Sequence, residues 1–211
     1  MPARLARWLT LQRALGYGPL LLYSVYHLWT QWPALYGRDA WLARAQRHGV
    51  GALLGGLVMA SFLVHAAIGL YRAFRAPDTR VERHRRWFQV ATGLTLAGFV
   101  IYHLSHVWPR PDGTAATLER SHERLWELLG QPVVLTIYVL GCSALAGHAA
   151  HALALLLEPY VPARARTALR LLAGLSGFVL FGLYLQLIGQ YAAGEPMLPS
   201  WAESADVTPA L

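Results

Sequence analysis

The chain alternates between long apolar segments and short polar connections, and five of the apolar segments are as long as a membrane-spanning helix. These segments cover residues 12–31, 49–71, 87–108, 132–157 and 168–190. A helix needs about 20 apolar residues to cross about 30 Å of hydrocarbon. The pattern therefore predicts an all-α membrane protein with five transmembrane helices, followed by a C-terminal tail over residues 191–211.

The composition agrees with a membrane protein and argues against other classes. Of the 211 residues, 55% are hydrophobic and 14% are charged, whereas about a quarter of the residues in a soluble chain are charged. The single cysteine, Cys142, excludes a disulfide framework and a thiolate metal site. The net charge of +7 comes from arginines that cluster between the apolar segments, so it indicates membrane topology and no nucleic-acid partner is expected.

The arginines are divided unevenly between the two predicted sides of the membrane. The N-terminus and the second and fourth connections carry twelve of them, and the first and third connections carry six. Because positive residues are enriched in cytoplasmic loops, we expect a cytoplasmic N-terminus and an extracytoplasmic C-terminal tail. The first apolar segment lacks a small-residue cleavage pattern and continues to Trp29, so we expect it to be retained as a helix.

Four of the apolar segments contain a histidine, namely His27, His65, His103 and His148. A buried imidazole needs a hydrogen-bond partner or a metal, because burying it unsatisfied costs free energy. From the helical rise, His27 and His103 lie about 22 and about 24 Å from the cytoplasmic face. His65 and His148 lie about 10 and about 15 Å from that face. The spacing therefore predicts an outer and an inner histidine pair.

In an antiparallel bundle of four helices, the first faces the third and the second faces the fourth. Each pair would then clamp a planar macrocycle, which predicts two b-type haems in a four-helix bundle with the fifth helix beside it. His65 and His148 are the predicted ligands of the inner haem iron, and His27 and His103 those of the outer haem iron. One such histidine alone is equally well explained by an interhelical hydrogen bond. The repeated pairing at two depths favours metal ligation.

Other residues near the predicted pairs are candidates for supporting roles. His106 and His151 each follow a predicted ligand by three residues, on nearly the same side of the helix. They could be alternative ligands, partners of haem propionates or interhelical hydrogen-bond donors, and a role in support of the ligands is favoured. Arginines near the inner face suit haem propionates, and membrane topology explains them equally well. These arginines are Arg13, Arg72, Arg75 and Arg86. Small residues that would let a porphyrin approach the backbone are Gly69, Gly93, Gly98, Gly147 and Ala149.

The remaining histidines and the tryptophans have simpler interpretations. His48, His84 and His122 lie in polar connections, where we expect them to be solvated. Tryptophans at the ends of the predicted helices are typical of an interfacial aromatic belt. These tryptophans are Trp29, Trp32, Trp87 and Trp108.

The segments that carry the four histidines resemble those of a known family. The matching stretches are LGYGPLLLYSVYHL, FLVHAAIGLYRAF, TGLTLAGFVIYHLSHVW and YVLGCSALAGHAAHAL. Over residues 8–190, the chain resembles the five-helix, dihaem cytochrome b membrane subunit of succinate:quinone oxidoreductases, the bacterial succinate dehydrogenases and fumarate reductases. The resemblance implies that His65 and His148 hold the haem nearer the iron–sulfur subunit and that His27 and His103 hold the distal haem.

The resemblance also implies partners and a location. A flavoprotein subunit with the dicarboxylate site and an iron–sulfur subunit would dock on the cytoplasmic face of a bacterial inner membrane, and electrons would reach menaquinone near the distal haem. Asp39 is the nearest candidate for the proton-handling carboxylate of some members. A higher oligomer of the complex is left open. So are two other functions: a dihaem cytochrome b of a hydrogenase or formate dehydrogenase, and a transporter whose histidines bind metal ions or relay protons.

Overall fold

In a computed structural model, the chain is helical almost throughout the residues that the structure describes, which are 3–48, 52–75, 80–107 and 115–194. These ranges contain no strand. Their α-helices are α1 (Ala3–Leu15), α2 (Leu21–Gln31), α3 (Arg38–His48), α4 (Ala52–Arg75), α5 (Arg80–Val107), α6 (Ala115–Leu129), α7 (Pro132–Leu157) and α8 (Arg166–Ala193). The predicted all-α class is confirmed, and most of the predicted C-terminal tail lies outside the described residues.

Four helical segments of the described chain are long and apolar enough to cross a membrane. They are Leu54–Arg75, Arg83–Val107, Pro132–Tyr160 and Ala163–Ala193. Large apolar side chains on them face outward, for example Phe74 and Ile101, which are 75% and 68% exposed. Exposing this much apolar surface to water is unfavourable, whereas lipid solvates it. These helices therefore indicate a membrane protein, and they correspond to the second to fifth predicted segments.

The ends of the long helices differ in part from the predicted bounds. α7 has the predicted bounds, since Pro132 suits a first helical turn, where its missing N–H removes no helical hydrogen bond. α5 begins at Arg80 rather than at residue 87, because the polar stretch before the apolar segment is also helical. α8 ends before Gly194, whose φ of 76° is a left-handed conformation that glycine adopts without strain.

The first predicted segment is a composite of three helical pieces. α1 ends at Leu15, a π-helical turn covers Gly16–Leu20, and α2 continues the chain from Leu21. Pro19 lies inside the π-helical turn, where it has no N–H to donate. A π-helical turn holds more residues than an α-helical one, so it changes the direction in which the following side chains point.

Two shorter helices cover one end of the bundle, which we call the cap end. α3 and α6 form within connections that the hydropathy pattern treats as polar, and α6 is strongly amphipathic. Apolar residues of α3 and α6 pack against the ends of α7 and α8. The buried residues of this contact include Trp41, Leu42 and Leu129 from the two short helices, and Val134, Leu187, Ile188 and Tyr191 from the two long ones. Arg38 on α3 pairs with Glu119 at 3.4 Å and with Glu123 at 3.1 Å, and thereby joins α3 to α6.

α7 is the central helix and packs closely against both α5 and α8. A Cβ atom added at Gly141 would lie between 2.1 and 2.6 Å from ring atoms of Phe99 on α5. A Cβ atom added at Gly177 on α8 would lie 2.7 Å from the Cβ of Ala150 on α7. Small residues allow this close approach of helices, which stabilises packing inside a membrane through van der Waals contact.

The opposite end of the bundle, which we call the arginine end, is held by ion pairs between helices. Glu158 follows α7, and its carboxylate accepts hydrogen bonds from Arg85 on α5 at 3.5 Å and from Arg170 on α8 at 2.5 Å. Arg75, at the end of α4, places its guanidinium 5.7 Å from the ring centre of Tyr71. The three long helices that follow α4 are thus tied together where arginines are most concentrated.

Candidate functional site

His27 and His103 lie side by side in the half of the bundle near the cap end. Their ring centroids are 6.0 Å apart, and the ring planes are inclined by 79°. Nδ1 of His103 forms a 3.0 Å hydrogen bond with the hydroxyl of Tyr138 on α7. Tyr23 stacks on His27 at 5.7 Å, and Phe99 packs on His103 at the same distance. The outer pair is therefore enclosed by aromatic side chains from α2, α5 and α7.

His65 and His148 lie side by side nearer the arginine end. Their ring centroids are 6.2 Å apart, and the planes are inclined by 70°. The close helix neighbours are α1 with α4, α4 with α5, and α5 with α7. Each pair thus joins two helices that lie across the bundle from each other. The structure brings together the same histidines that their predicted depths in the membrane place side by side. Their role as iron ligands stays a prediction.

Hydrogen bonds fix the tautomers of the inner pair. Nδ1 of His65 lies 2.9 Å from the main-chain oxygen of Gln12, which can only accept, so Nδ1 carries the proton. The Thr92 hydroxyl donates to the carbonyl of Phe88, so it accepts from Nδ1 of His148 at 3.2 Å. Both imidazoles therefore keep the lone pair on Nε2, the arrangement in which a histidine binds a metal while its other nitrogen is held by a second group.

Gln12 is a part of this site that the sequence did not reveal. Its main-chain oxygen orients His65, and its side-chain oxygen accepts a 2.5 Å hydrogen bond from Arg72. A Cβ atom at Gly69 would lie 2.8 Å from the Gln12 side chain, and one at Gly16 would lie 2.9 Å from Cε1 of His65. These glycines therefore make room for the side chains that set the inner pair.

The glycines that were expected to admit a porphyrin have different neighbours in the structure. Gly93 lies against His148, since a Cβ atom there would be 3.3 Å from Cε1 of the ring. Gly147 faces Phe88, and a Cβ atom at Gly98 would meet nothing within 4 Å. The glycines nearest the inner pair make room for imidazole rings and for a glutamine side chain.

The ring separations fit a metal held between two imidazoles. Two imidazoles whose Nε2 atoms face one metal at about 2.0–2.1 Å have ring centroids about 6 Å apart, and the centroid separations of the two pairs are 6.0 and 6.2 Å. Within the described ranges, no group of three or more His, Cys, Asp or Glu residues forms. Two protein ligands suffice for a haem iron, whose other ligands come from the porphyrin, whereas zinc takes three or four protein ligands.

The side chain of Gln89 lies at Nε2 of His148. Nε2 of Gln89 lies 3.1 Å from Nε2 of His148, and Oε1 of Gln89 is buried without a hydrogen-bond partner. An unsatisfied buried oxygen costs free energy, so the amide gains from turning to a position where both its ends are bonded. The two imidazoles would fit an iron at this pair only after Gln89 had turned away from Nε2 of His148.

The other predicted supporting histidines do not hydrogen-bond to either pair. Nδ1 of His106 lies 2.8 Å from the carbonyl of Tyr102 on its own helix, and its ring packs on Tyr102 at 4.5 Å. Nε2 of His151 is buried without a hydrogen-bond partner, and its ring meets Phe88 edge-on at 5.3 Å. His106 therefore has a local contact, while His151 keeps an unused donor or acceptor close to the inner pair.

The predicted arginines and the predicted carboxylate have different surroundings. Arg72 donates a 2.5 Å hydrogen bond to the side chain of Gln12, the residue whose main-chain oxygen bonds to His65. Arg13 and Arg86 are half-buried near the arginine end. Asp39 is exposed in the first turn of α3, at the cap end. Pairing with propionates and proton handling stay predictions for these residues.

The expectation that His122 is solvated is wrong. Its ring is half-buried between Trp41 and Tyr191, with centroid distances of 5.1 and 5.2 Å, because α6 packs into the cap. Its Nδ1 is buried without a hydrogen-bond partner. His84 is exposed as expected, and the side chain of His48 lies outside the described residues.

Acidification is expected to loosen the cap through His122. Burial, assisted by the guanidinium of Arg38, lowers the pKa of His122 from 6.5, against a smaller opposing effect of Glu123. The unfolded chain then binds this proton more readily, so the stabilising contribution is complete above pH 6.5 and is lost as the pH falls through the lowered pKa. Replacement His122→Phe should reduce the drop in unfolding temperature between about pH 7.5 and about pH 5.5.

Thermal unfolding of the purified protein in detergent at the two pH values checks this expectation. His84→Phe is the matched control, because His84 is exposed and should leave the pH dependence as it is in the wild-type chain. An unchanged pH dependence in His122→Phe would show that other groups govern the acid response.

Comparison with known proteins leaves the site to be interpreted from its own geometry. No protein-family model, curated protein or solved structure matches the chain. The two histidine pairs and the residues that orient them therefore carry the functional interpretation.

Proposed function

We propose that the chain is the membrane anchor and electron-transfer subunit of a succinate:quinone oxidoreductase, passing electrons between a docked iron–sulfur subunit and menaquinone through two bis-histidine b haems. The observation that supports this most is the presence of two histidine pairs, with ring separations of 6.0 and 6.2 Å, at two levels of one apolar bundle. When bound, haem supplies the reversible one-electron chemistry of its iron.

In this proposal the protein crosses a bacterial inner membrane five times, with its N-terminus in the cytoplasm. α1, the π-helical turn and α2 form the first crossing, and the four long apolar segments form the others. The arginine end then faces the cytoplasm, in accord with the distribution of arginines along the sequence. Exposed arginines at this end present a positive surface that suits an acidic face of an iron–sulfur subunit. They include Arg75, Arg83, Arg164 and Arg166.

The two histidine pairs are oriented by different residues and lie in different surroundings. At the inner pair, the main-chain oxygen of Gln12 and the hydroxyl of Thr92 hold the Nδ1 protons, so that Nε2 of each ring is the ligating atom. At the outer pair, Tyr138 bonds to His103 within an aromatic enclosure. Hydrogen bonds to axial histidines and the polarity around them tune the reduction potential, so the two sites should differ in potential.

Menaquinone would react at the cap end, beside the outer pair. Asp39 lies at this end and is exposed, so it is available to exchange protons with a quinone there. A separate flavoprotein subunit would hold the dicarboxylate site. The haem potentials and the partner subunits would together set the direction of electron flow, toward succinate oxidation or fumarate reduction.

The same histidine geometry also suits a dihaem cytochrome b that serves a hydrogenase or a formate dehydrogenase. The two interpretations differ in the electron donor that reduces the haems. In membranes that contain the complete complex, succinate should reduce the b haems under the proposed function. Hydrogen or formate should reduce them under the alternative.

A visible spectrum of the purified chain tests the haem content directly. We expect the dithionite-reduced protein to show b-type absorption bands, with two haems per chain when the bound haem is extracted and quantified. The unreacted and reduced spectra of the same sample form the comparison. A colourless, folded chain purified from haem-supplemented cells would contradict the proposal and would favour a transporter that binds metal ions or relays protons.

A further inference from the structure

A groove at the cap end is built from aromatic residues and an arginine that the proposed electron transfer does not use. It has a volume of about 510 Å³ and lies between the end of α2, the turn Trp32–Tyr36 and α3. Trp29, Trp32 and Tyr36 line one side, and two alanines and Arg44 of α3 line the other. Volumes of this size hold small ligands or the polar part of a lipid.

Arg44 is the charged group of this groove. Its guanidinium carbon lies 4.0 Å from the centre of the Trp29 ring, which is a cation–π contact. No carboxylate among the described residues is within ion-pair distance of Arg44. Arg38, six residues earlier on α3, differs in this respect, since it pairs with Glu119 and Glu123. An anion is therefore the complement that Arg44 lacks.

An apolar stripe leads away from the groove along α2. Leu22, Val25 and Trp29 are spaced by three and four residues, so they share one side of the helix. They are 67%, 53% and 46% exposed. The groove with its aromatic residues and Arg44 is thus continuous with an exposed apolar surface. This arrangement suits a lipid with a negatively charged headgroup.

We propose that this groove binds an anionic phospholipid, with the phosphate on the guanidinium of Arg44 and one acyl chain along the stripe of α2. A guanidinium donates to a phosphate through two parallel hydrogen bonds. A quinone fits less well, because its carbonyl groups are neutral and leave the charge of Arg44 uncompensated. The inference depends on the membrane location and not on the haems, so it stands or falls separately from the proposed function.

The test uses the full chain reconstituted into vesicles of phosphatidylcholine with a minor fraction of phosphatidylglycerol. After mild detergent extraction, native mass spectrometry counts the phosphatidylglycerol molecules that each chain retains. We expect one firmly retained molecule in the wild-type chain and about tenfold weaker retention in Arg44→Gln, as for the loss of a charge-assisted hydrogen bond. Arg124→Gln is the matched control, because Arg124 is an exposed arginine on α6 at the same end, and it should retain as much as the wild-type chain.

Three outcomes would overturn the proposal. The first is equal retention of phosphatidylglycerol by Arg44→Gln and the wild-type chain, with both chains folded by circular dichroism. The second is an equal loss in Arg124→Gln, which would indicate unspecific attraction by the surface charge. The third is replacement of phosphatidylglycerol by a competing ligand. Retention of menaquinone in its place would assign the groove to a quinone, and displacement by inorganic phosphate at equal concentration would assign it to the free anion.

Discussion

Replacement His65→Ala is expected to lower the haem content from two to one per chain and to stop quinone reduction by the assembled complex. Under the proposed function, His65 and His148 would each supply one axial ligand of the inner haem iron, and His148 alone would leave that iron without its second ligand. The soluble subunits should still pass electrons from succinate to an artificial dye, because their cofactors precede the membrane in the proposed path. Haem extraction and parallel assays with quinone and with dye measure these effects.

His84→Ala provides the control for this replacement. His84 lies on α5 at the same end of the bundle and is exposed, so its loss should leave both haems and both activities intact. Two unaltered haem signals in His65→Ala would reject the inner-pair assignment. Loss of the dye activity as well would mean that the replacement prevents docking of the soluble subunits, and the haem count alone would then decide the assignment.

Replacement Gly141→Ala is expected to lower the free energy of unfolding by about 1–3 kcal/mol, the range for overpacking a close contact. The added methyl group would lie 2.1 to 2.6 Å from ring atoms of Phe99, so α5 and α7 must separate or the ring must turn. Phe99 packs on His103 at 5.7 Å, which extends the disturbance to the outer pair. We therefore expect the outer haem to be lost before the inner one as the protein is heated.

Gly98→Ala is the matched control, because a methyl group there meets nothing within 4 Å. Its unfolding temperature should equal or slightly exceed that of the wild-type chain, since alanine favours a helix more than glycine does. Thermal unfolding in detergent, followed by tryptophan fluorescence and by haem absorption, compares the two replacements. Equal stability of Gly141→Ala and Gly98→Ala would show that Phe99 repacks without cost.

The pairing of the histidines was predictable because it depends on quantities that hardly vary between helices. The rise per residue is constant, so the number of residues between a helix end and its histidine gives the depth. The alternation of direction between successive apolar segments then decides which histidines share a level. His27 with His103, and His65 with His148, follow from these two regularities and do not require knowledge of side-chain packing.

The cap was not predictable from the length of apolar runs. α6 has no apolar run, and its apolar residues, among them Leu118, Leu125 and Leu129, recur at helical spacing within a polar sequence. Their burial depends on the ends of α7 and α8, which no local pattern specifies. A search for helical periodicity in the connections would have indicated the helix, whereas the burial of His122 depends on its tertiary contacts with Trp41 and Tyr191.

The residues that orient the inner pair were hidden for a different reason. Gln12 holds His65 through a main-chain oxygen, which every residue possesses, so its identity carries no signal for this contact. Gln89 and Thr92 reach His148 from α5 through side-chain rotamers that depend on the packing of α5 against α7. Sequence spacing locates the ligands, and tertiary contacts decide which neighbours hold them.

The first apolar segment contacts both histidine pairs, and the π-helical turn Gly16–Leu20 lies within it. The number of residues in this turn therefore sets how His27 is oriented relative to the residues that contact His65. Gly16 lies against His65, while His27, farther along the same segment, faces His103. Each residue of a helix rotates the chain by about 100°. Deletion of a single residue between these two points would rotate His27 away from its partner, although the remaining residues of the segment would be unchanged. Homologous chains should therefore differ here by exchange of side chains and seldom by insertion or deletion.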